Sequence, residues 1–132
     1  MTDETDEQLK EWILISMKME RGLIPTCQRL EIPPRRVREF SKQDPVFCWK
    51  LRWLYECWAR STAPAPEEVA LWETKTRILE GLQRGLGLTL AVLRLGLNGG
   101  DVAQMMEEDP YFSETVNAVL KQALDRDRHD RD

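Results

Sequence analysis

Few residues in this chain have the types and spacing to do chemistry, and most chemistries drop out at once. Cys27, Cys48 and Cys57 are an odd number with no C-x-x-C pair, so neither a zinc knuckle nor a dithiol redox couple is expected. At helical positions they read as small apolar residues kept reduced. The one histidine, His129, lies in a charged tail. No nucleophile–base–acid cluster and no metal-ligand set can be assembled, so no enzyme activity, cofactor or metal is expected. What remains is cationic. Arg35, Arg36, Arg38 and Lys42 lie close together, with Arg21, Arg29 and Lys50 nearby. Arginine grips guanine or phosphate through a planar fork, and lysine adds a phosphate-directed point charge. The chemistry on offer is non-covalent recognition of a polyanion, with double-stranded DNA as the expected partner.

The distribution of charge supports this direction. The 132-residue chain has a net charge of −4, but residues 1–17 carry −4, residues 18–60 carry +5 and residues 61–132 carry −5. A basic middle flanked by acidic segments implies one face suited to a polyanion, not a uniformly basic coat. With 42% hydrophobic and 32% charged residues the chain can bury a core. No apolar run approaches the ~20 residues a bilayer span needs, and Met1 to Glu7 is acidic and polar, unlike a secretory signal. No membrane partner is expected, and the expected location is cytoplasmic.

The elements that must position the cationic residues follow from an internal repeat. A shift of 65 residues aligns Ile13-Leu14 with Ile78-Leu79, Gly22-Leu23 with Gly87-Leu88, and Arg29-Leu30 with Arg94-Leu95. The same shift places Val37 on Val102 and Asp44-Pro45-Val46-Phe47 on Asp109-Pro110-Tyr111-Phe112. The division is therefore 1–60 as a basic unit, 61–66 as a proline-bearing linker, 67–126 as an acidic unit and 127–132 as a charged tail.

Helix signals recur inside each unit. Thr5 with Gln8 forms a capping-box pattern for a helix running to Glu20, which Gly22 ends. Pro25 suits the first turn of a short second helix, and Glu31-Ile32-Pro33 is a tight turn. A third helix is predicted from Pro34 through Ser41, with Val37, Phe40 and Ser41 on one face. Asp44-Pro45 opens a fourth, running to about Arg60 with a Phe47, Leu51, Leu54, Trp58 stripe. The second unit is predicted as helices 67–84, 89–95, 99–107 and 110–126, with a turn at Gly96. No strand pattern appears. The expected fold is all-α, two tandem four-helix units each containing a helix-turn-helix.

In that arrangement the second of two short helices enters a major groove while the first braces it. The first unit has the chemistry for it. The second does not: Asn98 to Asp109 holds no Lys or Arg, so phosphate repulsion opposes docking and a scaffolding or partner-binding role is expected there. Met105 and Met106 read as core filling.

The run from Arg21-Gly22-Leu23 through Cys27, Ile32-Pro33, Val37, Arg38, Asp44-Pro45 and Phe47 resembles the N-terminal helix-turn-helix of small terminase subunits of tailed phages. The resemblance implies a non-enzymatic, often ring-forming DNA-recognition component that delivers viral DNA to a packaging ATPase, and hence a homo-oligomer. Glu31 stands where that family usually has glycine, and the family usually has a single such unit. Two other functions stay open: a protein-interaction module that binds no nucleic acid, and a helix-turn-helix transcriptional regulator. Trp49, Trp53, Trp58 and Trp72 are expected at an interface between units or subunits, with stacking of unpaired bases as the alternative.

Overall fold

A computed structural model describes residues 4–60 and 62–131, and these residues are all-helical, with eight helices and no strand. The chain divides into two compact units, Met1–Ala63 and Pro64–Asp132. The first holds α1 (Glu4–Glu20), α2 (Leu23–Leu30), α3 (Pro34–Gln43) and α4 (Pro45–Ala59). The second holds α5 (Pro66–Gln83), α6 (Leu88–Leu93), α7 (Gly99–Glu108) and α8 (Pro110–Arg131). Among the described residues no helix is long and apolar enough to cross a membrane.

In the first unit α1 packs on α2 and α4, α2 on α3, and α3 on α4. These contacts close over Ile13, Met17, Cys27, Val37, Phe40, Phe47 and Leu51, with Leu54 and Trp58 against them. Phe40 and Phe47 meet edge to face at 6.0 Å, a favoured aromatic geometry. Burial of this kind removes apolar surface from water and is the main term holding four short helices together. Cys27 belongs to this core, and burial pushes its thiol pKa up, away from reactivity.

The second unit buries Ile78, Leu82, Val92, Val102, Phe112, Val116 and Val119, each 65 residues after a core position of the first unit. Helix starts keep the same spacing: Leu23 and Leu88, Pro34 and Gly99, Pro45 and Pro110. So do the turns that lead into α3 and α7. The amide of Ile32 donates to the Cys27 carbonyl at 3.0 Å and that of Leu97 to the Val92 carbonyl at 3.2 Å. Glu31 and Gly96, at corresponding positions, both adopt positive φ, 57° and 74°.

A lysine–aspartate pair ties the first helix of each unit to the start of the last. Lys10 Nζ donates to Asp44 Oδ2 at 3.0 Å, with both side chains about nine-tenths covered. The other Asp44 oxygen accepts from the amides of Val46 and Phe47 at 3.0 and 3.1 Å, capping α4. Lys75 and Asp109 repeat the pair at 3.0 Å, and the Phe112 amide donates to Asp109 at 3.2 Å. The lysines also lie over aromatic rings, Lys10 over Phe40 at 5.4 Å and Lys75 over Phe112 at 5.6 Å.

Three expectations about helix ends are corrected. Thr5 is already helical, so it does not open α1; the residues before Glu4 lie outside the described ones. Arg21, not Gly22, ends α1: it takes φ 54° and its amide donates to the Met17 carbonyl at 2.9 Å, while Gly22 is the extended N-cap of α2. Finally, α8 runs on through the expected tail to Arg131. Nothing from Asp125 onward breaks a helix, and Arg126 donates to the Gln83 carbonyl at 2.8 Å, satisfying the C-terminal end of α5.

Candidate nucleic-acid interface

The candidate surface is built on α3. Pro34 fixes its first turn, and the Pro33 carbonyl accepts from the Arg36 amide at 3.0 Å. Val37 and Phe40 face the core at 2% exposure each. Arg35, Arg38 and Lys42 are spaced i, i+3, i+7, so they form one line along the exposed side of the helix. All three are exposed, and none has a hydrogen bond or ion pair among the described residues.

Arg36 is placed differently from the other three. It donates to Asp6 of α1 at 2.9 Å, lies 3.9 Å from Glu39 and sits over the Phe40 ring at 4.6 Å. Its side chain ties α3 to α1, which takes it out of the expected cationic cluster. Arg29 is exposed but paired with Glu20 at 2.8 Å. Arg21 is exposed at the end of α1, and Lys50 is half-buried on α4. The structure thus brings Arg35, Arg38 and Lys42 together and spends Arg36 and Arg29 on local ion pairs. Asp6 and Glu20 belong to the acidic residues visible in the sequence, but nothing in their spacing named their partners.

The corresponding helix of the second unit carries none of this. Its exposed line is Gly100, Ala103 and Glu107, at the positions of Arg35, Arg38 and Lys42. Asp101, at the position of Arg36, serves a capping box: its amide donates to Asn98 at 2.9 Å and its carboxylate accepts from the Asn98 amide at 3.0 Å. Between α6 and α7 lies a groove of about 280 Å³ lined mainly by Leu88, Val92, Leu93, Val102, Ala103 and Met106. Met105 and Met106 are half-buried. A second hollow of similar size, beside α5 and α6, is edged by Arg77, Arg84 and Arg94. Arg84 and Arg94 sit at the C-terminal ends of those helices, where a cation complements the helix dipole.

The tryptophans divide as well. Trp58 packs on the core of its own unit and meets Tyr55 edge to face at 5.3 Å. Trp49 is buried, and Trp53 and Trp72 are half-buried. The exposed tryptophan is Trp12, at 59%, with Ile15 and Met19 on the same helix at 51% and 63%. Trp12 is not among the tryptophans expected at an interface from the sequence. The signal was present in its i, i+3, i+7 spacing with Ile15 and Met19, a line separate from the buried one through Ile13 and Met17.

Among the described residues no group of three or more His, Cys, Asp or Glu side chains gathers as a metal site. No family model, no curated protein and no solved structure matches this chain.

Proposed function

We propose that the first unit binds duplex DNA through a helix-turn-helix made of α2 and α3, with α3 as the reading helix. The observation that carries this reading is the line of Arg35, Arg38 and Lys42 on the open side of α3, set against Gly100, Ala103 and Glu107 on α7. Two diverged copies of one unit, one cationic and one not, account for the contrast. Arg35 and Arg38 engage bases or phosphates, while Lys42, Arg21 and Lys50 add phosphate contacts. The second unit serves as scaffold or partner-binding element. With the resemblance to small terminase subunits, the role that fits is a non-enzymatic adaptor, self-associated, that presents DNA to a packaging ATPase.

The test is a fluorescence-anisotropy titration of labelled duplex at two salt concentrations. Arg35→Ala/Arg38→Ala/Lys42→Ala is expected to weaken binding at least about tenfold and to flatten the salt dependence, since each lost phosphate contact removes about 0.9 from the log–log slope. Helicity by circular dichroism stays unchanged. Arg36→Ala lowers stability but leaves the slope as in the wild type. Equal binding by the triple variant would sink the assignment of α3.

A second reading is favoured by the apolar groove between α6 and α7 and by the net negative charge of the second unit. On that reading the chain is a protein-interaction module without nucleic-acid binding, and the wild type shifts no duplex even at low salt.

A further inference from the structure

We infer that α1 of the first unit is a self-association surface, on which a second copy of this chain docks its own α1 antiparallel about a two-fold axis. The inference uses α1 alone and stands independently of the duplex reading.

Trp12, Ile15 and Met19 form one line on α1 and are each more than half exposed. Three large apolar side chains in a row are more than scattered surface residues, and water contact with them is unfavourable. The equivalent positions on α5 and its C-cap are Arg77, Glu80 and Arg84. The apolar line is therefore not a requirement of the fold, since the sister helix does without it.

Charge identifies the occupant. Glu11 and Lys18 are seven residues apart, two helical turns, so they lie on the same flank of the apolar line. Both are exposed, and neither has a hydrogen bond or ion pair among the described residues. In an antiparallel two-fold pair, equal flanks face each other. Glu11 of one copy then meets Lys18 of the other, and the same pair forms again across the axis. The midpoint between Glu11 and Lys18 falls within one residue of Ile15, so the register that pairs the charges also centres the apolar line on itself. On α5 the corresponding residues are Thr76 and Gln83, and this complementarity is gone. A surface complementary to itself in both apolar line and flanking charge fits another copy of the same chain. The patch is smaller than a standard interface, so the dimer is weak and concentration-dependent.

Sedimentation velocity on the full chain, at concentrations up to about 100 μM, tests this. The expected result is a monomer–dimer equilibrium that Trp12→Ala weakens about tenfold or more, with helicity unchanged. Glu11→Lys and Lys18→Glu each weaken self-association, because like charges then face each other twice. Mixing those two variants restores a heterodimer, and the double variant Glu11→Lys/Lys18→Glu restores the homodimer. Unfolding cannot produce that pattern. A wild type that stays monomeric throughout, a Trp12→Ala variant that associates as before, or a mixture that fails to associate would each overturn the inference.

Discussion

Lys10 shows how a single residue can be misread from its type. A lysine in an amphipathic helix suggests solvent, yet Lys10 is 6% exposed and holds Asp44 at 3.0 Å. Burial pulls its ammonium toward neutrality, but the hydrogen bonds and charges of Asp44 and Glu7 outweigh that and raise its pKa above the ordinary lysine value. A cation with a raised folded pKa contributes stability fully below the unfolded pKa and loses it as pH rises through the folded one. Lys10→Met is therefore expected to cost about 2–3 kcal/mol at neutral pH, since Asp44 keeps its two amide donors but loses its buried counter-charge. The gap between variant and wild type should close above about pH 10.5, as read by urea unfolding at several pH values. A gap that stays constant from neutral to alkaline pH would deny the pair its electrostatic role. The Asp44 and Asp109 caps were legible, because aspartate before proline has a local meaning. Their lysine partners, 34 residues earlier in each case, were not, because only packing brings α1 to the start of α4.

At the scale of elements, the turn between the second and third helix of each unit decides how α3 and α7 are presented. Both turns need one residue in the left-handed region, filled by Glu31 at φ 57° and Gly96 at φ 74°. A side chain there costs about 1–2 kcal/mol, partly offset because glycine has more freedom to lose on folding. Glu31→Gly is expected to stabilise the first unit by up to about 1 kcal/mol, and Gly96→Ala to destabilise the second by about 1 kcal/mol. Opposite signs at equivalent positions, measured by chemical denaturation, are the signature; equal signs would refute the shared turn geometry. The turn itself was readable from Glu31-Ile32-Pro33 and from Gly96. The sorting of cations on α3 was not. Sequence proximity gathered Arg35, Arg36, Arg38 and Lys42 as one cluster, and the loss of Arg36 to Asp6 and the Phe40 ring required α1 to be in place.

For the whole molecule, charge divides as the units do. Residues 64–132 carry −5 against a total of −4, so the first unit is the only net-positive half. An acidic unit tethered to a cationic one lowers the attraction for duplex over a Debye length or so. Residues 64–132 alone are expected to show no duplex binding, and residues 1–63 to bind more tightly than the full chain at low salt. That advantage should shrink at high salt, where repulsion is screened. Duplex binding by the acidic half would overturn the division of labour.

The sequence by itself determined the all-helical class, the starts of α3 and α4 and of their counterparts in the second unit, and the gathering of Arg35, Arg36, Arg38 and Lys42 on one helix. Those depend on proline, capping aspartate and apolar spacing, which act over a few residues. Tertiary structure decided which charges are spent and which are free: Lys10 and Lys75 on the caps, Arg36 on α1, and Trp12, Ile15 and Met19 left in water. Pairing and exposure depend on which surfaces meet, and helices distant in the chain meet only once the core has closed.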